Sequence, residues 1–344
     1  MDNTRALLVG CGSISRVWLK GVQQIPEVEV AGLVDINPAA AEGLAGEFGL
    51  THVPCGSDLE AALRATRPDV VFNCSIPEAH RDVTLAALRH GCHVLGEKPL
   101  AASMAEAREM VAAARQAGRL FAVMQNRRYD ANIRRLRAFL ASGALGRLTT
   151  VNCDFYIGAH FGGFRDHMRH VLLLDMAIHT FDQARCLTGA DPLSVYCHEW
   201  NPAGSWYDYD ASAQAIFQMS GGLVYSYRGS WCAEGLNTTW ECDWRFVGEK
   251  GSARWDGAAC FQAQVVAATG GFRSELSDVS VPEVDPGGKV DLHLGCIREF
   301  VDCVRHGGTP ETIAEDNIRS LAMVFGAIES AETGGVISIA PEGE

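Results

Sequence analysis

No C-x-x-C pair occurs among the 12 cysteines, and the two nearest in sequence are Cys296 and Cys303. Neither a zinc cluster nor a dithiol redox centre is spelled out, so the cysteines read as small buried hydrophobes. No stretch reaches the roughly 18 continuous apolar residues of a membrane span. The opening MDNTRALLVG lacks a basic segment followed by a long apolar run and a cleavage site, so a reducing cytoplasm is the expected compartment. Basic residues are in deficit: 29 Lys+Arg against 42 Asp+Glu leave a formal charge of −13. That balance argues against nucleic acid or an anionic membrane as partner. Internal repeats and low-complexity linkers are also missing. What remains, 344 residues with 47% hydrophobic and 21% charged, suits a globular chain with two domains.

The first of these domains is written in alternating strands and helices. RALLVG, Arg5 to Gly10, is an apolar run without alternation, as in a strand buried on both faces of a parallel sheet. It runs into Gly10-Cys11-Gly12-Ser13-Ile14-Ser15 and then the helical SRVWLKGVQQI. In that context Gly10 permits a tight turn and Gly12 allows a pyrophosphate to approach the backbone. The amides of the following helix start, at Ser13 and Ile14, supply partial positive charge. Ser15 stands where the fingerprint has its third glycine.

The second strand, VEVAGLVD, ends at Asp35, about where an acidic group binds the adenosine ribose. A carboxylate there favours NAD over NADP, because neither Ile36 nor Asn37 offers a basic partner for a 2′-phosphate. The plainer reading of Asp35 is a cap on the helix that follows. Ser57 and Glu60 are spaced as a capping box for a helix from Ser57 to Ala65. DVVFNCS is the next buried strand, after which Asn73, Ser75, Pro77 and His80 are expected along the cofactor edge. The bland alternative makes Ser75 to Pro77 a plain turn and His80 an exposed first-turn residue.

CHVLGEKPL carries the most suggestive charge. Lys98 ends a buried parallel strand, where open α/β sheets bind ligands, and Pro99 keeps it out of the α region. Beside it Glu97 is read either as part of the cofactor edge or as a solvated partner of Lys98. A helix capped by Ser103 and Glu106 follows, and LFAVMQN gives one more strand ending at Asn126. Repeated β-then-α units mean a doubly wound parallel sheet.

GCGSIS, DVVFNCSIPEAH, CHVLGEKPLA and, further on, LLLDMAIHTFD together resemble the Gfo/Idh/MocA family, the glucose-fructose oxidoreductase and inositol dehydrogenase group. The resemblance implies an N-terminal Rossmann domain, residues 1–125. It also implies an α/β domain with a large, open, mostly antiparallel sheet, residues 126–344, that often joins subunits into a homodimer or homotetramer. Sugar, polyol or cyclitol chemistry is implied as well. Trp18 departs from a position where the family often has histidine, and Met168-Arg169-His170 replaces a usually Gly-rich approach to LLLD.

In the second half, GAHFGGFRDHMRH reads as a loop bordering the pocket, with His160, His167 and His170 but no paired carboxylates at metal-ligand spacing. No metal is therefore expected. LLLDMAIHTFDQARCL reads as a helix on which Asp175 and His179, four apart, share one face. With the family match, His179 is the expected acid/base, Asp175 its orienting carboxylate and Lys98 the group that hydrogen-bonds the substrate oxygen. Without it, Asp175 and His179 are an ordinary solvated pair. Arg165, His170 and His293 are further substrate-site candidates.

Beyond residue 190 short alternating strands carry most of the tryptophans, which suit sheet packing or a subunit interface better than sugar stacking. The expected activity is hydride transfer between a CH–OH group and NAD. Two other readings on the same fold remain: an NAD-using glycosidase with transient oxidation, and a noncatalytic nucleotide-responsive regulator.

Overall fold

The structure, a computed structural model, describes residues 3–283, 285 and 288–340. It divides into two compact units, Met1–Tyr129 with Gly287–Ile318, and Asp130–Pro286 with Arg319–Glu342.

The first unit is built on six parallel strands: β1 (Thr4–Val9), β2 (Val28–Val34), β3 (Cys55–Gly56), β4 (Val70–Asn73), β5 (His93–Gly96) and β6 (Phe121–Val123). Their order is β3-β2-β1-β4-β5-β6, that of a dinucleotide-binding fold. Leu7, Val70, Val71 and Val94 are fully buried, as unalternating apolar strands covered on both faces require. The crossovers are α1 (Ser13–Val22), α2 (Pro38–Glu47), α3 (Leu59–Thr66), α4 (Pro77–Arg89) and α5 (Met104–Ala117).

Local chemistry sets where these helices start, and it corrects two expected caps. Asp58, not Ser57, caps α3 by accepting from the Ala61 amide at 2.9 Å. Glu60 is turned instead to His90 and Arg89 on the end of α4. Asn37, not Asp35, caps α2 by accepting from the Ala39 amide. Ser103 does cap α5, accepting from Glu106, and Glu106 reaches back to the amide of Ala102.

The second unit opens with α6 (Ala131–Ala141) and β7 (Leu148–Tyr156). A π-helical turn, Leu172–Ala177, leads into α7 (Ile178–Thr188). Then come β8 (Pro192–Trp200), β9 (Ser212–Met219), β10 (Val224–Ser230), β11 (Asp243–Gly248), β12 (Gly251–Trp255), β13 (Phe261–Ala268), β14 (Glu275–Asp278) and β15 (Ile337–Ser338). They form one sheet in the order β14-β13-β12-β11-β7-β10-β9-β8-β15. Pairing is antiparallel throughout except between β7 and β10. One face is packed: Phe217, Tyr225 and Tyr227 meet Phe181 of α7 at ring separations of 4.9, 6.2 and 5.3 Å. Trp231, Trp244 and Trp255 are buried in this unit, as sheet packing predicts, whereas Trp240 is half exposed.

The chain then returns to the first unit. Helix α8 (His293–His306) lays Ile297, Phe300 and Val301 into the same core as Trp18, Leu19 and Val22 of α1. A division at residue 125 therefore misses this return, since nothing in the local pattern of residues 290–306 tells which core they join. The last helix is α9 (Ala314–Thr333).

Because Phe181 is fully buried against three aromatic rings, Phe181→Ala should destabilise the second unit by about 3–5 kcal/mol. Denaturant unfolding monitored by tryptophan fluorescence would measure it; a loss below about 1 kcal/mol would contradict this packing.

Candidate active site

All six parallel strands end on one edge, where the first group of candidates gathers. Gly10 follows β1 with φ +90°, and a Cβ there would lie 2.6 Å from the backbone of Cys74 and Ser75. This glycine is demanded by the close approach of two strand ends. Gly12 is different: a Cβ would meet nothing within 4 Å. It precedes α1 with no side-chain cap, and the first turn carries no acidic residue, which leaves Ser13 and Ile14 at an uncapped, unneutralised helix start. An anion fits there. Ser15 is buried and donates to the Gly12 carbonyl, so a small side chain substitutes for the third glycine without loosening the turn.

Asp35 accepts from the Cys11 amide at 2.7 Å and from the Asn37 amide at 2.9 Å, joining the end of β2 to the glycine turn. Ile36 beside it is almost wholly exposed. Asn73 differs from expectation: fully buried, it donates to the His80 carbonyl and Thr84 Oγ1 and accepts from Ser75 Oγ at 2.6 Å. It shapes the loop after β4 rather than facing the edge. Pro77 is the first residue of α4.

His80 is buried, not an exposed first-turn residue. Its Nδ1 lies 2.8 Å from the Pro99 carbonyl and its Nε2 3.0 Å from that of Ser75. Carbonyls only accept, so the ring satisfies both only when protonated, which burial opposes by pushing its pKa down. The ring ties the loop after β4 to the turn after β5.

In that turn Glu97 is buried, not solvated. Its carboxylate accepts from the Trp18 indole N–H at 2.6 Å and from the Lys98 amide at 3.1 Å. Burial raises its pKa against both hydrogen bonds and the Lys98 charge. His293, at the start of α8, has its pKa pushed down to about 4 by burial and then by Lys98. Asn126 Nδ2 lies 3.4 Å from its Nδ1. Lys98, Asn126 and His293 thus belong to one cluster, although His293 is far along the chain.

The second group lies in the other unit. Asp175 sits in the π-helical turn and His179 in the first turn of α7, so the expected single α-helix is interrupted between them. The wider i→i+5 turn takes the pair off strict α-helical alignment, and such turns recur at functional sites. Arg165 donates to both Asp175 oxygens, at 2.7 and 3.3 Å. Its guanidinium lies 4.9 Å from the Phe161 ring and 4.8 Å from that of Phe164, both exposed.

His170 is engaged elsewhere, 2.6 Å from Glu199 and 3.5 Å from Glu332, and the Glu199 hydrogen bond raises its pKa. It anchors the start of the π-helical turn, and a place in a substrate site does not follow. His160 and His167 pair with different carboxylates, Glu234 and Asp208. Among the described residues no three His, Cys, Asp or Glu side chains converge as a metal site would.

Comparison with known proteins fits this geometry. Residues 4–125 match the family model described as "Oxidoreductase family, NAD-binding Rossmann fold", and residues 133–254 match the GFO/IDH/MocA C-terminal domain. Together these cover more than half of the chain.

The chain belongs to the Gfo/Idh/MocA oxidoreductase family.

Within this family it is 26% identical to 1,5-anhydro-D-fructose reductase of Ensifer adhaerens, over 96% of this chain and 97% of the relative. It is 25% identical to inositol 2-dehydrogenase of Rhizobium meliloti, over 97% and 98%. An oxidoreductase from Agrobacterium radiobacter, solved with NAD+, L-tartaric acid and magnesium, shares the fold with a TM-score of 0.85. The two are 20% identical, over 98% of each chain. The protein is thus a Gfo/Idh/MocA oxidoreductase with NAD as cofactor, and the open space over Gly12 and the uncapped start of α1 fit that cofactor.

The two glycines predict opposite phenotypes. Gly12→Ala should leave the melting temperature within a degree or so, since φ −75° suits alanine, yet weaken NAD binding about tenfold in a fluorescence titration. Gly10→Ala should lower thermal stability outright. Equal behaviour of the two variants would contradict the assignment.

Proposed function

We propose that this protein is an NAD-dependent dehydrogenase acting on a CH–OH group of a sugar, polyol or cyclitol. The observation that carries this is Lys98 at the carboxyl end of β5, its backbone amide held by a buried carboxylate, on the edge that also bears Gly12 and Asp35. When bound, NAD supplies the hydride acceptor.

The chain's own residues handle binding and the proton. Gly12, Ser13 and Ile14 would hold the pyrophosphate and Asp35 the adenosine ribose, with no cationic side chain at Ile36 or Asn37 to welcome a 2′-phosphate. Ser75, Pro77, Glu97 and Asn126 shape the remainder of that edge, with Asn73 and His80 buried behind it to hold its loops. Lys98 donates to the substrate oxygen as negative charge develops on it. His179 takes the hydroxyl proton on a ring nitrogen. Asp175, braced by Arg165, holds the polar frame beside it.

The exposed rings of Phe161 and Phe164 beside Arg165, with the Trp240 ring 6.3 Å from that of Phe161, support a ring-shaped substrate with apolar C–H faces. The names of the reductase and dehydrogenase relatives support net oxidation or reduction over transient oxidation in a glycosidase or a purely regulatory role.

The outer face of the second sheet supports assembly of identical subunits. Arg228–Asp154 and Arg254–Asp243 pairs rim a cleft of ≈680 Å³, and Tyr196 and Ile216 stand exposed on it. We expect a homodimer or homotetramer through this face. Light scattering should give a mass at least twice 37.1 kDa, and Ile216→Lys should lower it; a monomeric wild type excludes the interface.

The reaction itself is tested by NADH absorbance on mixing protein and NAD with inositols, aldoses and sugar acids. Lys98→Met should abolish turnover while NAD affinity changes less than about threefold. Undiminished turnover in that variant removes Lys98 from the chemistry, and product without NADH would indicate the glycosidase.

A further inference from the structure

Burying a carboxylate is costly unless donors replace its hydration. Glu97, 7% exposed, receives one on each oxygen, the Trp18 indole N–H on Oε1 and the Lys98 amide on Oε2. The first comes from a residue 79 positions away whose side chain cannot swing aside. Trp18 is fully buried in the core of the first unit, with its ring 5.5 Å from that of Phe72 on β4. The groups facing Glu97 are Lys98 on its own turn, the Cys74 thiol after β4 and the Cys296 thiol of α8. Lys98 is the cation among them. The Lys98 charge also reaches His293, whose pKa burial and then Lys98 push down to about 4.

We propose that Trp18 is a positioning residue for Lys98: its indole N–H anchors the Glu97 carboxylate, which in turn clamps the Lys98 backbone and supplies the negative charge beside its ammonium. This rests on the role given to Lys98 above. A phenyl ring at position 18 would fill most of the same space and donate nothing. Oε1 would then be left without its donor in an apolar core, where protonation of the carboxyl becomes easier. Lys98 would lose both a fixed backbone and its neighbouring anion.

Trp18→Phe should therefore lower kcat about tenfold, the scale of one hydrogen bond to a charged group, with KM and NAD affinity changed less than about threefold. The acid limb of its kcat–pH profile should move to higher pH. Glu97→Gln, nearly isosteric, should show a similar kcat loss, and adding Trp18→Phe to it should change kcat by less than about twofold.

An unshifted acid limb in Trp18→Phe, or additive losses in the double variant, would reduce Trp18 to packing and overturn the proposal. Should Trp18→Phe fail to fold, Glu97→Gln decides: wild-type kcat and pH profile in that variant overturn the proposal, and a lowered kcat with an altered acid limb upholds it. Full activity in Lys98→Met is a separate outcome and overturns the underlying role of Lys98 itself.

Discussion

Strands that all run in one direction deliver all their carboxyl ends to one edge of the sheet. In this protein that single constraint gathers Gly10, Asp35, Asn73, Glu97 and Asn126, spread over a third of the chain, along one rim. Close packing of those ends has consequences of its own. It forces glycine at position 10, where two strand ends nearly touch, and leaves room at Gly12, where a cofactor's charge can meet amides instead of side chains. The difference between a glycine required by the fold and one kept for a ligand is visible in what a methyl group would strike.

A crowded rim also buries polar groups, and each needs a partner. Asn73 spends its amide on His80 and Thr84, His80 bridges two carbonyls, Asp35 collects two backbone amides and Glu97 collects an indole and an amide. These contacts connect the loops after β2, β4 and β5 to α1 and to one another. The rim is thus a set of hydrogen-bonded turns more than a set of side chains aimed outward. In the second unit the same economy appears around Asp175 and His170, each held by a partner from outside its own turn.

Much of this was legible in the residues. Unalternating strands, Gly10 and Gly12 in the turn after β1, and EKP at a strand end identified the parallel sheet and its working edge, because backbone periodicity and turn chemistry are local. The spacing of Asp175 and His179 marked the right element, but not its π-helical turn, which no periodicity distinguishes from an α-helix. Partners across long separations were beyond reach. Nothing near Trp18 announces Glu97, nothing near His170 announces Glu199, and Asp58 outcompeted Ser57 as a cap by a one-residue shift that spacing alone cannot settle.

The return of α8 to the first unit has a consequence for how the molecule is made. A ribosome delivers β1 to β6 early, and the apolar side of α1, with Leu19, Gly21 and Val22, is then without Ile297, Phe300 and Val301. Those arrive only after the whole of Asp130–Pro286 has been synthesised. The nascent sheet therefore waits with its core open on one flank while the larger part of the second unit emerges. The cofactor-binding unit is first to be born, yet its core closes only once about 160 further residues have left the ribosome.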